Sequence, residues 1–300
     1  MRSAFCSALM RHCHNPQFVF LTGDLGYGAL EPLRDSMGQR FINAGVSEQN
    51  MVSVASGLAK SGFRPWAYSI APFLYARPFE QIRNDVCLHR LPVVLVGNGG
   101  GYGYGVMGAT HHALEDYGVL LTLPQMEVHV PAFDKDISSI SDQLLQSERP
   151  GYLRLGIEEQ PPSLSPPPYA TWRKLLTGRG PVVLAVGPLA GGYWGAWSEL
   201  PEEQRPCLWC LSKLPFGGFP EELWYDIRQA SVLAVAEEHV AHGSAGSLVT
   251  GQLIEHRCMP PQYRHFTACG YPSERYGSQR FHRAECGLTP DLVLRSLTCP

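Results

Sequence analysis

Short apolar runs alternate with segments of helical spacing along most of this 300-residue chain, and this alternation constrains the fold more than any other feature. The apolar runs predict buried strands, and they lie at 18–21, 65–68, 93–96, 127–130, 152–155, 182–186, 207–211 and 232–236. Apolar residues three and four apart predict helices between the runs, including one near 194–200 and one from residue 220. Because buried strands separated by amphipathic helices are typical of parallel sheets covered on both faces, we predict an α/β fold.

A proline-rich segment divides the chain into two parts. Five prolines fall within residues 161–168, where neither a helix nor a central strand accommodates them. We therefore predict an extended linker over residues 157–180. We expect a mostly parallel sheet flanked by helices in residues 1–156 and a second one in residues 181–300.

Composition excludes several classes of function. Charged residues make up 17% of the chain and the net charge is −3, so we expect neither a nucleic-acid nor a membrane partner. No apolar stretch approaches the roughly 20 residues of a membrane span, and no signal core precedes the first helix. The nine cysteines are an odd number spread over the chain, which favours reduced thiols and a cytoplasmic location. Cys207 and Cys210 have C-x-x-C spacing, but the run CLWCL predicts a buried strand rather than a zinc or redox site.

Candidate binding residues follow the ends of the predicted strands. Ligands of open α/β sheets bind beyond the carboxyl ends of the strands. This rule directs attention to residues 22–28, 69–77 and 97–112.

The segment NAGVSEQN, residues 43–50, predicts the start of a helix. Gly45 gives the backbone freedom to turn, Ser47 is a candidate N-cap, and Glu48 falls in the first turn. On spacing alone, Glu48 is interpreted as a carboxylate that complements the helix dipole.

The glycine-rich segment 99–118 has only a superficial likeness to a dinucleotide-binding loop. Gly103, Gly105 and Gly108 match G-x-G-x-x-G, but the sequence Thr110-His111-His112 interrupts it, and the following strand ends without a ribose-binding acid. Adjacent histidines point in different directions, so we do not expect them to share a metal ion. The G-x-S-x-G elbow of serine hydrolases and the phosphate-binding P-loop motif are both missing.

Taken in order, several segments resemble the transketolase family. These segments are LTGDLG, FINAGVSEQNMVSVASGLAKSGFRPWAYS, FLYARPFEQIRNDV and GATHHALEDYGVLLTLPQMEVHVPAF. They are similar to the pyrimidine-binding domain of that family, especially in its split, two-chain members and in deoxyxylulose-phosphate synthases. The later segment LAVAEEHVAHGSAGSLV resembles the transketolase C-terminal domain. The resemblance implies a thiamine-diphosphate pyrimidine-binding domain at 1–156, the linker at 157–180 and a transketolase C-terminal domain at 181–300.

The resemblance implies roles for individual residues. Glu48 matches the glutamate that hydrogen-bonds the aminopyrimidine ring of thiamine diphosphate. A carboxyl partner on the ring nitrogen favours the tautomer in which the amino group acts as a base. Phe73 matches the aromatic residue that stacks on the ring, and His111 matches a histidine near the cofactor and the substrate oxygens. We expect Glu48 and His111 to be catalytic.

Weaker correspondences extend this set of candidates. Tyr68 is a further candidate for cofactor binding, whereas Asp24, His112 and Arg154 are candidates for substrate binding.

Three positions depart from the family pattern. Met107 stands where many transketolases have an aspartate, Leu120-Leu121 replaces a leucine-arginine pair, and Ile70 replaces a phenylalanine. These changes leave cofactor activation untouched, but they put recognition of standard pentose phosphates in doubt. A nucleotide-linked or modified sugar is an alternative acceptor.

The magnesium motif of the family is missing from this sequence. The family holds Mg²⁺ and diphosphate with a G-D-G motif and a later asparagine, whereas this chain has Gly23-Asp24-Leu25 and begins directly with the first pyrimidine-domain helix. We therefore expect the metal ligands on an N-terminal, diphosphate-binding partner subunit. The predicted assembly is an α2β2 heterotetramer.

The function implied by the resemblance is transfer of a two-carbon ketol unit from a ketose to an aldose, with sugars or sugar phosphates as substrates. Decarboxylative acyl transfer from pyruvate is an alternative, as in deoxyxylulose-phosphate synthases or the β subunits of 2-oxoacid dehydrogenases. A non-catalytic scaffold is a third alternative, but the presence of both Glu48 and His111 argues against it.

Overall fold

A computed structural model describes residues 1–298, which form two mostly parallel sheets flanked by helices. The strands are β1 Phe18–Thr22, β2 Phe41–Asn43, β3 Arg64–Ile70, β4 Val94–Asn98, β5 Glu127–His129, β6 Gly151–Leu155, β7 Trp172–Leu176, β8 Val182–Val186, β9 Cys207–Leu211, β10 Lys213–Leu214, β11 Val232–Ala236 and β12 Gln262–Phe266. The predicted α/β class and all eight predicted strands are confirmed. Three predicted runs are extended at their carboxyl ends, because β1 reaches Thr22, β3 reaches Ile70 and β4 reaches Asn98.

Helices alternate with the strands as the apolar spacing predicts. The helices are α1 Arg2–Met10, α2 Glu31–Met37, α3 Glu48–Lys60, α4 Ala71–Ala76, α5 Phe79–Gln81, α6 Asp116–Leu120, α7 Asp134–Gln146, α8 Leu189–Trp197, α9 Glu221–Gln229, α10 Ala245–Glu255, α11 Gln279–Glu285 and α12 Pro290–Thr298. A π-helical segment, Ile82–Cys87, continues α5, and short 3-10 turns lie at Gly38–Arg40, Gly105–Met107 and Ala109–His111. Within residues 1–298, none of the helices combines the length and the apolar character needed to cross a bilayer.

The first sheet has seven strands in the order β10-β5-β6-β4-β3-β1-β2. All neighbours pair in parallel except β10, which comes from the second half of the chain and pairs antiparallel with β5 at one edge. Strands β1, β4 and β6 are buried along their whole length, as expected where helices cover both faces of a parallel sheet.

The second sheet has five strands in the order β12-β11-β8-β9-β7. Strand β7 pairs antiparallel with β9, and the other pairs are parallel. Cys207 and Cys210 both lie on β9 with buried side chains, so the prediction of a buried strand for CLWCL is confirmed.

The structure differs from the sequence prediction at two places in this half. Strand β7 lies inside the segment 157–180 that we predicted as a linker, because the prolines stop at residue 168 and Trp172 and Leu176 then pack against the core. Helix α8 begins five residues before the predicted start at 194. Its first turns contain Gly191 and Gly192, whose missing side chains leave room for Glu159.

A buried ion pair joins the two halves of the chain. Arg173 on β7 donates from both terminal nitrogens to the two carboxylate oxygens of Asp136 on α7, at 2.7 Å each. Asp136 also accepts from the backbone nitrogens of Ala132 and Phe133 at 3.0 and 3.1 Å, so its charge is well satisfied. The pair therefore fixes the edge of the second sheet against the helix that precedes β6.

We expect Arg173→Met to lower the free energy of unfolding by about 3–5 kcal/mol, because it leaves a buried carboxylate without its cation. Urea unfolding followed by tryptophan fluorescence would measure the change. Arg179→Met is the matched control, since Arg179 pairs with Glu203 on the surface and should alter the unfolding midpoint little. Equal destabilisation by the two substitutions would contradict this account.

Candidate functional site

The candidate site begins at Glu48, the first residue of α3. Ser47 occupies the N-cap position as predicted, but its hydroxyl donates to the carbonyl of Ala44 at 2.7 Å and does not cap the helix. The Glu48 side chain does not extend into solvent as a simple dipole partner would, since only 3% of the residue is exposed. It turns instead toward the carboxyl end of β3.

Two side chains donate hydrogen bonds to the Glu48 carboxylate. The hydroxyl of Ser69 donates to Oε1 at 3.1 Å, and Nη1 of Arg77 donates to Oε2 at 2.8 Å. Ser69 is near the carboxyl end of β3, and Arg77 follows the last residue of α4. Burial makes these bonds strong, because a desolvated carboxylate depends on its partners in the protein.

A series of contacts between planar groups extends from this carboxylate, beginning with Arg77. The guanidinium carbon of Arg77 lies 3.9 Å from the centre of the Phe73 ring, and the rings of Phe73 and His111 meet edge-on with their centres 5.2 Å apart. The Tyr104 ring centre is 5.8 Å from that of His111. Nδ1 of His111 is 2.9 Å from the hydroxyl of Thr110. Glu48, Phe73 and His111, which the sequence singled out separately, therefore belong to one cluster.

Sequence reasoning missed three members of this cluster, namely Ser69, Arg77 and Tyr104. The rule that ligands bind beyond strand ends had already indicated the segments 69–77 and 97–112 that contain them. Residue type gave no further signal, because a serine or an arginine at a strand end is common.

Asp24 lies at the same edge of the sheet but on the surface. Its Oδ1 accepts from Nδ2 of Asn43 at 2.8 Å and from the Tyr27 hydroxyl at 2.9 Å. These hydrogen bonds hold the pKa of the Asp24 carboxyl below its ordinary value. The residue before it, Gly23, lies beside Oε1 of Glu48, so Asp24 is close to the cluster without joining it.

Tyr68 is on the other face of the sheet. Successive strand residues alternate between faces, and Ser69 points to Glu48. The Tyr68 ring stacks on Phe5 with centres 6.0 Å apart, in the core under α1. Burial raises the pKa of Tyr68 to about 12. The structure does not bring this residue together with Glu48.

Arg154 is part of the contact between the two halves of the chain. Its Nε donates to Asp116 at 2.8 Å, and its Nη2 donates to the carbonyls of Ala113 and Glu238 at 2.8 and 3.0 Å. Only 5% of Arg154 is exposed. The structure therefore places this predicted substrate residue in an internal network and not beside Glu48.

His112 is likewise turned away from its neighbour His111, as expected for adjacent residues. Its Nε2 lies 2.8 Å from the carbonyl of Gly105, and its Nδ1 lies 2.8 Å from the hydroxyl of Tyr271. Because a carbonyl only accepts, Nε2 carries the hydrogen and Nδ1 of the neutral ring accepts from Tyr271. Burial lowers the pKa of His112, which favours this neutral form.

The glycine run at 99–101 allows close packing between the two halves. Gly101 has a φ of +64°, and a Cβ there would come within 2.5 Å of Oε1 of Glu238. Glu238 accepts from the backbone nitrogen of Tyr102 at 2.5 Å and pairs with Arg283 at the same distance. The run therefore serves this contact.

The cluster fits a planar nitrogen heterocycle. A buried carboxylate offers an acceptor, Phe73 offers an aromatic face, and His111 offers a group that gives or takes a proton. Among residues 1–298, there is no group of three or more acidic, histidine or cysteine side chains arranged to hold a metal ion.

Comparison with known proteins identifies relatives of the chain. The family described as "Transketolase, pyrimidine binding domain" matches residues 1–159. A 1-deoxy-D-xylulose-5-phosphate synthase of Nitratidesulfovibrio vulgaris is 30% identical over 88% of this chain and 42% of its own length. One of the subunits of an apulose-4-phosphate transketolase of Actinobacillus succinogenes is 27% identical over 88% of this chain and 87% of its own length. The chain thus spans less than half of the synthase and most of the transketolase subunit.

Solved structures show the same relationship. A chain described as "Split gene transketolase, inactive beta4 tetramer" superposes with a TM-score of 0.84 at 29% identity, covering 99% of this chain and 96% of that one. The transketolase from Leishmania mexicana shares the fold, with a TM-score of 0.76 at 18% identity over 99% of this chain and 44% of that one.

The two adjacent histidines should respond differently to substitution. His112→Ala leaves the carbonyl of Gly105 and the hydroxyl of Tyr271 without their partner, so we expect the free energy of unfolding to fall by about 1–3 kcal/mol. His111→Ala is the matched control and should change it far less. Urea unfolding near neutral pH measures both.

The pH dependence provides a further check on His112. Because the native pKa is below the ordinary 6.5, the unfolded chain takes up a proton first as the pH falls. The stability that neutral His112 supplies is complete above about pH 6.5 and declines as the pH falls through the native pKa. The advantage of the wild type over His112→Ala should therefore narrow in acid, and an advantage that grows would contradict the assignment.

Proposed function

The chain belongs to the transketolase family, and from this premise we propose that it is the pyrimidine-binding subunit of a two-chain, thiamine-diphosphate-dependent enzyme. The reaction we propose is transfer of a two-carbon ketol unit from a ketose to an aldose acceptor. One observation carries this proposal, namely the buried Glu48 carboxylate that Arg77 links to the Phe73 ring, which in turn contacts the ring of His111.

Each side chain in the cluster has a proposed task. Thiamine diphosphate supplies a nucleophilic carbon that attacks ketone carbonyls. Glu48 would hold a proton at the ring nitrogen through its carboxylate oxygen, and Phe73 would orient the ring by stacking. With Nδ1 bonded to Thr110, His111 would give or take a proton at Nε2 near the substrate oxygens. Ser69 would hold Glu48 in this orientation through Oε1.

Substrate recognition is proposed to differ from that of pentose-phosphate transketolases. Met107 replaces a family aspartate, and 56% of Met107 is exposed on the same glycine-rich loop that carries His111. The thioether of methionine is only a weak hydrogen-bond acceptor, so Met107 does not replace an aspartate as a partner for sugar hydroxyls. A modified or nucleotide-linked sugar is therefore our proposed acceptor class. Asp24 remains a proposed sugar contact at the edge of the site, whereas His112 and Arg154 are proposed to be structural.

A partner subunit is part of the proposal. The relative from Actinobacillus succinogenes is named as one subunit of its enzyme and matches this chain over most of its length, which supports a two-chain enzyme. We propose that the partner holds Mg²⁺ and the diphosphate, and that two copies of each chain form an α2β2 assembly.

Decarboxylative acyl transfer from pyruvate is the second candidate, favoured by the similarity to the synthases. Glu48 and Phe73 would serve either reaction. Release of carbon dioxide from pyruvate by the reconstituted enzyme would establish this alternative, whereas ketose consumption without carbon dioxide would establish ketol transfer.

We expect Glu48→Gln to lower the turnover of the reconstituted complex by about 10²–10⁴-fold, because the amide cannot hold the same proton at the ring nitrogen. Ketose donors screened against aldehyde acceptors provide the assay. Glu80→Gln is the matched control, because Glu80 is an exposed carboxylate on the neighbouring helix α5. A Glu48→Gln complex that turns over at the wild-type rate would remove the catalytic assignment.

We further expect the isolated chain to show no Mg²⁺-dependent binding of thiamine diphosphate at micromolar concentration. Binding should appear when the diphosphate-binding partner is co-expressed, because the metal ligands are proposed to lie there. Isothermal titration calorimetry measures both cases. Tight binding and turnover by the isolated chain would refute the division of the site between two chains.

A further inference from the structure

Arg77 occupies the centre of the candidate site, between the carboxylate of Glu48 and the ring of Phe73. Its guanidinium donates to Oε2 of Glu48 at 2.8 Å and lies 3.9 Å from the centre of the Phe73 ring. The guanidinium of Arg77 therefore uses both the carboxylate and the aromatic face that the cluster would offer to a heterocycle.

A guanidinium is chemically suited to this position. It is flat, delocalised and positively charged, it stacks on aromatic faces, and it donates hydrogen bonds in its own plane. An aminopyrimidine with a hydrogen on its ring nitrogen presents the same features on one side, a flat face and an N–H directed at a carboxylate. The guanidinium and the ring would compete for the same oxygen and the same face of Phe73.

The position of Arg77 in the chain favours movement. It follows the last residue of α4 and precedes Pro78, so its side chain does not belong to a helix interior. The Arg77 side chain is 43% exposed, whereas that of Glu48 is 2% exposed. The cation can therefore turn outward, but the carboxylate cannot, and it needs a replacement partner when Arg77 leaves.

We propose that Arg77 is an exchangeable occupant of the pyrimidine site, which compensates the Glu48 carboxylate in the empty subunit and must leave before the cofactor ring can bind. This inference rests on the proposed function, because it takes thiamine diphosphate as the ligand. Arg77 is then a residue that sets cofactor affinity, since the subunit is competent to bind only in the fraction of molecules where the ion pair is open.

Cofactor binding by the complex with its diphosphate-binding partner tests the exchange. Arg77→Gln removes the competing cation, so the dissociation constant of thiamine diphosphate with Mg²⁺ should fall by about tenfold if the pair is closed in about nine molecules of ten. Fluorescence titration measures this constant without any need for turnover. Arg83→Gln is the matched control, because Arg83 is exposed and its guanidinium bonds the neighbouring Asn84 instead of Glu48.

The outcomes separate this inference from the function on which it rests. Tighter binding by Arg77→Gln, with Arg83→Gln unchanged, supports the exchange. Wild-type binding that is not tightened by Arg77→Gln overturns the exchange alone. Failure of the wild-type complex to bind the cofactor overturns the proposed function and this inference together.

A second measurement tests the ion pair without any cofactor. In the isolated chain, the unfolding midpoints of Glu48→Gln, Arg77→Gln and the double variant form a double-mutant cycle. We expect the effects of the single substitutions to be non-additive, because each removes the same contact. Additive effects would show that the pair is not formed in the empty subunit, and they would overturn the exchange.

Discussion

Buried carboxylates that accept hydrogen bonds from distant parts of the chain hold the two halves of this structure together. Asp136 pairs with Arg173 across the interface, and Glu238, itself paired with Arg283, accepts from the backbone nitrogen of Tyr102. Asp116 pairs with Arg154 within the first half, and this pair positions Arg154 to donate to the backbone carbonyl of Glu238. Breaking any such pair leaves a charge in a poorly solvated interior, so the interface tolerates little displacement. The glycine-rich loop that carries His111 runs through this interface, and its geometry therefore depends on residues in the second half.

The candidate site differs from this interface in one respect. Glu48 is as buried as the interface carboxylates, but its cationic partner is a partly exposed side chain at the end of a short helix. A fixed acceptor with a replaceable donor is suited to ligand binding, because the ligand supplies the compensation that the departing cation removes. The interface carboxylates, by contrast, have partners that are themselves buried, and so they serve rigidity.

The relationship to transketolases restricts the type of reaction that can be proposed for this chain more than it restricts the choice of substrate. We propose that Glu48, Phe73 and His111 serve a cofactor that the family shares, so this cluster can persist while substrate contacts change. We propose that Met107 and Asp24 help to distinguish different sugars, because Met107 is exposed on the loop that carries His111 and Asp24 is exposed next to Gly23, which adjoins Glu48. A fixed cluster with a variable edge would account for relatives that are named for different compounds.

The sequence by itself determined eight of the twelve strands in residues 1–298 and the two-sheet architecture. Glu48, Phe73 and His111 were proposed from the resemblance to a family, and their roles stay predictions. Apolar runs and strand ends are local properties of the sequence, so they can be predicted without knowing which distant residues are in contact. Only the tertiary structure showed where the side chains of Tyr68, His112 and Arg154 lie and which groups they contact. The partner of Arg154 in the second half, Glu238, is 84 residues away, and that of His112, Tyr271, is 159 residues away. A side chain's role as structural or functional depends on which such partners satisfy its polar groups, and spacing along the chain carries no information about them.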